Sequence, residues 1–129
     1  MGAFIANKVV KLMIKKGLTV NGSKVLVLGI TFKENCPDIR NSKVIDIVTE
    51  LKEFGIGVDI YDPMADAHEV AEEYGVSLIS KPNKDYDAII LAVSHEEFKN
   101  MDLISMKKAS GIVYDVKAML DISMVDGRL

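Results

Sequence analysis

An apolar run, Lys24 to Leu28, opens into a polar loop, Thr31 to Asn41, which leads to an amphipathic segment, Val44 to Phe54. A strand that is apolar at nearly every position is buried on both faces, which only a parallel sheet covered by helices provides. The loop, within Gly29-Ile30-Thr31-Phe32-Lys33-Glu34-Asn35-Cys36-Pro37-Asp38-Ile39-Arg40-Asn41-Ser42, carries a lysine and an arginine but no glycine-rich fingerprint. It lies at the carboxyl end of a strand, where open α/β sheets hold their ligands.

The rest of the chain repeats the alternation. Gly2 to Lys16 reads as a helix with Ile5, Val9, Leu12 and Lys16 on one face and Gly17 as its stop, followed by an Asn21-Gly22 turn. The core face of the second helix is Val44, Ile47, Val48, Leu51 and Phe54, and Gly55 ends it. Val58 to Tyr61 is a strand stopped by Asp62-Pro63, Ala65 to Tyr74 a helix closed by Gly75, and Val76 to Ile79 a short third strand. Ala88 to Val93 is the fourth strand and Gly111 to Val116 the fifth; Glu96 to Lys108 between them is helical, as one helix or as two short pieces meeting near Asn100. Met119 to Leu129 is a weak tail. The pattern predicts an α/β fold, a three-layer doubly wound, Rossmann-like parallel sheet of five strands in the order 3-2-1-4-5, with an extra N-terminal helix. That helix has no strand before it, so its apolar face is expected to pack outside this sheet, on another domain or subunit.

Composition narrows the function classes. The chain has 129 residues, 49% of them hydrophobic and 27% charged, which suits one domain with a real core. A net charge of −3 gives no general attraction to nucleic acid or anionic membrane, so anion binding has to be local. Apolar runs such as Ala88 to Val93 fall far short of the ~20 residues of a membrane span, and Met1 to Gly17 does not have the order of a signal peptide. The single cysteine, Cys36, excludes a disulfide framework and a zinc cluster and fits a reducing cytoplasm. Its place in a polar loop raises a nucleophile, but neither His68 nor His95 is near it in sequence; a loop residue partly packed on the sheet is the simpler reading.

The predicted strand order gathers three cations on one edge: Lys33 and Arg40 after the first strand and Lys117 after the fifth. A diphosphate there would accept charge-assisted hydrogen bonds, two at once from Arg40. The amino end of the following helix, capped by Ser42 or Asn41, would add its dipole. Asp62 stands where dinucleotide folds place a ribose-binding acid, but Asp62-Pro63 also reads as a turn. His95 is either an acid–base group or part of a helix start in which Ser94 caps and Glu97 completes the box. His68 reads as a surface residue, and Met101, Met106, Met119 and Met124 as core gap fillers.

Residues 29–43 resemble the signature of the carboxyl-terminal domain of the UDP-glucose/GDP-mannose dehydrogenase family, and Asn-Cys-Pro-Asp-Ile-Arg-Asn within them is most similar to the branch that oxidises UDP-N-acetylhexosamines. Val58-Asp59-Ile60-Tyr61-Asp62-Pro63 and Tyr114-Asp115-Val116-Lys117 resemble further family segments. The resemblance implies a parent enzyme that uses two NAD to oxidise a sugar C6 alcohol to a carboxylate through a cysteine thioester, in polysaccharide biosynthesis. Its NAD-binding Rossmann domain and homodimer-forming central helix would precede this domain. By resemblance, residues 1–17 are the end of that helix and 18–129 the UDP-sugar-binding domain. The resemblance further implies that Lys33 would contact the nucleotide sugar, Lys117 would hold the UDP moiety, and Arg40 would reach the NAD side of the cleft. Cys36 does not match the catalytic cysteine, Ala118 stands where glycine is common, and the family's aromatic continuation beyond Leu129 is missing, so the chain is expected to be a fragment, inert alone.

Two other classes fit a chain of this kind. A phosphoacceptor receiver domain has similar length and a lysine after its fifth strand, but Leu28-Gly29-Ile30 and Leu78-Ile79-Ser80 lack its carboxylates. A stand-alone nucleotide-binding or interaction module has no such requirement.

Overall fold

The computed structural model describes residues 2–128; Met1 and Leu129, which bound the predicted leading segment and tail, lie outside the described residues. Helix α1 (Gly2–Lys15) precedes β1 (Lys24–Leu28), α2 (Val44–Glu53), β2 (Gly57–Tyr61), α3 (Ala67–Tyr74) and β3 (Tyr86–Leu91). A 3₁₀ turn at Glu96–Asn100, α4 (Leu103–Met106), β4 (Lys107–Asp115), a second 3₁₀ turn at Ile122–Met124 and β5 (Gly127–Arg128) follow. The five strands are parallel, in the order β2-β1-β3-β4-β5.

Local chemistry accounts for the boundaries. Every residue of β3 is buried, as the central strand of a doubly covered sheet requires. Helix α3 starts where the Asp66 carboxylate accepts the N–H groups of His68 and Glu69, and it stops at Gly75, whose φ of +69° lets its N–H turn back to the Ala71 carbonyl. Side chains alternate across the sheet with period two. Val25, Val27, Ala88, Ile90 and Ile112 face α1, α2 and α3, whereas Leu26, Leu28, Ile89, Leu91 and Val113 face Phe98, Leu103 and the partly buried Met101, Met106 and Met119.

The predicted spatial order is present, with corrected content. Val76 to Ile79 is not a strand; a single bridge from Leu78 to Ile60 marks its place beside β2. Four residues with one polar member offer too little ladder to extend further. The tail adds a two-residue edge strand, β5, beside β4. β4 begins at Lys107, earlier than predicted, with a register shift opposite Tyr86 to Ala88. The segment after β3 is indeed two short pieces. Met124 is exposed rather than a gap filler, as is Phe54, which lies beyond the end of α2.

Helix α1 departs most from expectation. Besides Gly2, its buried residues are Ile5, Ala6, Val9, Val10 and Met13, these five in the same core as α2 and the sheet, while Leu12 is only partly buried and Lys16 is exposed. Gly2 crosses α2 so closely that a Cβ there would lie 2.5 Å from Asp46 Cβ. The apolar face is rotated from the predicted one because Ala6, Val10 and Met13 widen the stripe beyond Ile5 and Val9. α1 belongs to this core rather than packing outside the sheet.

Candidate functional site

The sheet order reverses between β1 and β3, and a cleft of about 260 Å³ opens there at the carboxyl edge. Ile5 of α1, Thr31 and Phe32, Asn41, Lys43 and Val44, Ala92 and Val93, and Val116 and Lys117 line it. Aliphatic walls, an amide, a hydroxyl and two ammonium groups suit a ligand with a flat apolar part and an anionic part. Lys43 and Val44 are also the first residues of α2, so the positive end of that helix lies at the cleft.

The strand ends that frame the cleft are tightly determined. Gly29 has φ +98°, and its N–H reaches the Tyr61 carbonyl at 2.9 Å. An added Cβ would stand 2.5 Å from Val93 Cβ. Beyond β4, the buried Asp115 carboxylate accepts the N–H of Lys117 at 2.9 Å and that of Leu120 at 2.7 Å. This loop forces Ala118 to φ +54°, the left-handed region in which glycine costs less.

Below the loop after β1 sits a closed polar cluster. Asp62 Oδ2 accepts the N–H of Ile30 at 2.7 Å and of Thr31 at 3.2 Å, and Oδ1 accepts that of Met64 at 2.8 Å. His95 Nε2 lies 3.1 Å from Asp62 Oδ2, and both side chains are wholly buried. Burial pushes the Asp62 carboxyl up, but the hydrogen bonds from His95 and from the Ile30 and Met64 N–H groups outweigh it and hold the group below the ordinary value of 3.8. The expected Ser94 cap does not form: His95 itself occupies the N-cap position of the 3₁₀ turn, without a side-chain cap bond. At α2 the N-cap residue is Lys43, while the Ser42 hydroxyl accepts the Val44 N–H at 3.3 Å, so Ser42 serves from one position earlier.

The three predicted cations do not share one cleft lining. Lys117 lines the switch-point cleft, Lys33 is exposed outside its lining, and Arg40 lines a separate depression with Ile39, Glu69, Glu72 and Glu73. The Arg40 fork is turned back onto its own loop, bonding both Asp38 carboxylate oxygens at 3.1 and 3.0 Å while 81% exposed. These bonds lower the Asp38 carboxyl and raise the Arg40 guanidinium from their ordinary values. Lys43 is the cation that sequence reasoning missed. Its signal was its place at the start of a helix that follows a ligand-edge loop. His68 is exposed and pairs with Glu72 at 2.9 Å, and Cys36 is half-buried, both as expected.

A dinucleotide does not fit this edge. Asp62, at the ribose position, is sequestered among N–H donors, and Gly29 alone cannot form the tight pyrophosphate turn. Receiver chemistry fails as well, because β3 is followed by Ala92-Val93-Ser94, with no carboxylate for magnesium. A second cationic groove, about 400 Å³, lies between α1 and β5 and is lined by Phe4, Lys8, Lys11, Leu12, Lys15, Tyr114, Gly127 and Arg128.

Comparison with known proteins gives a consistent assignment. The model of the "UDP-glucose/GDP-mannose dehydrogenase family, UDP binding domain" matches residues 26–122. The chain is 47% identical to a UDP-N-acetyl-D-glucosamine 6-dehydrogenase of Pseudomonas aeruginosa, covering 100% of the chain and 32% of that protein. It is 48% identical to one of Salmonella typhi, covering 100% of the chain and 31% of that protein. Among solved structures, the UDP-N-acetyl-mannosamine dehydrogenase Cap5O of Staphylococcus aureus superposes with a TM-score of 0.71 at 27% identity, over 98% of this chain and 30% of that one. The chain thus spans about a third of the length of the relatives it matches.

Proposed function

Because this chain belongs to the UDP-glucose/GDP-mannose dehydrogenase family, of which it is a UDP binding domain, we propose that it is the nucleotide-holding third of an enzyme that oxidises the C6 alcohol of a UDP-N-acetylhexosamine to a carboxylate. The observation that carries this reading is the pairing of Lys117 and Lys43 in one cleft at the topological switch point, beside the amino end of α2. Two ammonium groups and a helix dipole oppose the two charges of a diphosphate, and the aliphatic walls receive the uracil face. Lys33, exposed beside this wall, is the contact for the sugar, which extends out of the cleft.

The dehydrogenase chemistry belongs to the remaining domains of the parent, a cytoplasmic homodimer in this reading. They hold NAD, which the carboxyl edge here does not accommodate, and Arg40 reaches the cofactor side of the shared interface by exchanging Asp38 for an external anion. Residues 1–17 continue from the central helical region. The chain contains no helix, among the described residues, long and apolar enough to cross a membrane.

Calorimetric titration with UDP tests the site. Lys117→Ala is expected to weaken binding by about 1.5–3 kcal/mol, the worth of a charged hydrogen bond, and the loss should shrink as salt screens the pair. An affinity unchanged by the substitution removes Lys117 from the site.

A further inference from the structure

Asp62 and His95 lie outside the cleft lining, yet they determine its wall. His95 Nδ1 is 2.9 Å from the Asn35 N–H, which can only donate, so the ring proton resides on Nε2. Nε2–H then faces Asp62 Oδ2 at 3.1 Å and Thr31 Oγ1 at 3.0 Å, and the Thr31 hydroxyl donates onward to the Lys33 carbonyl at 3.0 Å. The Asn35 side chain accepts the Glu96 N–H at 2.9 Å, and Asn35 is held at φ +56°. Residues 31–35 are therefore tied to the ends of β2 and β3 through one imidazole. Thr31 and Phe32 of that loop line the cleft.

We propose that His95, seated on Asp62, is a positioning residue for the switch-point cleft: donating from Nε2 and accepting at Nδ1, its ring holds the Thr31–Asn35 wall in its ligand-ready form. A side chain without an acceptor at the Nδ1 position leaves the Asn35 N–H without its bond. A partner kept on the Nε2 side still satisfies Asp62, so the loop moves rather than the carboxylate. The groups facing the imidazole are Asp62 from the end of β2, the Thr31 hydroxyl and the Asn35 N–H from the loop, and the Phe98 ring from the 3₁₀ turn, 5.4 Å between centroids. Glu96 is engaged with Lys99 at 3.0 Å, and Lys33 and Glu34 are exposed.

The ligand half of this inference rests on the nucleotide reading; the loop half does not. The test follows the Asn35 and Thr31 amides by NMR in the full 129-residue chain near neutral pH, with UDP-N-acetylglucosamine titrated into the parent sequence and two variants. His95→Asn puts an acceptor oxygen near the Nδ1 position, so the Asn35 amide and the affinity should both stay close to those of the parent. His95→Gln retains a partner for Asp62 but loses the Asn35 acceptor, so the Asn35 amide should shift and binding should weaken about tenfold; if it does not fold, amide exchange in the parent chain decides, with the bonded Asn35 N–H expected to be protected. An Asn35 amide and affinity in His95→Gln equal to the parent's, or an unprotected Asn35 N–H, overturns the proposal. An Asn35 amide that shifts in His95→Gln without any nucleotide binding would support the clamp and sink the nucleotide reading instead.

Discussion

Gly29 and Asp62 show how single residues hold the ligand edge. Gly29 combines φ +98° with contact against Val93, leaving no room for a side chain. Gly29→Ala is expected to cost about 3 kcal/mol or more in chemical denaturation, from backbone strain plus overpacking; a cost below about 1 kcal/mol would mean that the strand ends are not packed as described. Asp62 governs the acid side. Its folded carboxyl is held below the ordinary 3.8, so its contribution to stability is complete above that value and disappears as pH falls through it towards the folded one. Stability of the unaltered chain should fall below about pH 4, and Asp62→Asn should lower stability at neutral pH while flattening that decline. Urea midpoints at neutral and acid pH check this, and equal acid slopes in both proteins would contradict it. The place of Lys117 in the cleft lining was legible because it follows a buried strand at the carboxyl edge. The Asp62–His95 pair was not, because 33 residues separate its members and the local capping pattern Ser94-His95-Glu96-Glu97 offered a sufficient account of His95. The present orientation of Arg40 was hidden for the opposite reason: an acid two residues away, Asp38, accepts both bonds of its fork.

At the scale of elements, helices with punctuation at their ends were the readable ones. Gly55 and Gly75 stand just past the ends of α2 and α3 as expected, and β1 follows from its Val-Leu-Val-Leu run. The Ile89-Ile90-Leu91 run marked β3, which spans Tyr86 to Leu91 rather than Ala88 to Val93. The failures were edge elements, where pairing rather than pattern decides. Leu78 contributes one bridge, and Gly127–Arg128 pairs only because Tyr114 and Asp115 lie alongside. The use of α1 was hidden for a related reason: an amphipathic stripe states that a helix packs, not what it packs on. Because Met13 of α1 is wholly buried in the common core, Met13→Ala should cost about 2–5 kcal/mol by chemical denaturation. A cost near zero would return α1 to a role outside this domain.

At the scale of the whole molecule, two cationic concavities among the described residues differ chemically. The groove between α1 and β5 presents Lys8, Lys11, Lys15 and Arg128 around Phe4 and Tyr114. The switch-point cleft presents two lysines, the start of α2 and a wall fixed from behind by buried hydrogen bonds. Charge alone favours the groove, whereas preorganisation favours the cleft, and preorganisation converts contacts into affinity. The most direct measurement is a UDP titration of the isotopically labelled chain, read amide by amide. Saturating shifts centred on Thr31, Phe32, Val93 and Lys117 are the expected result. Shifts centred on Phe4, Lys8, Lys11 and Arg128, with the switch-point amides unmoved, would contradict the account.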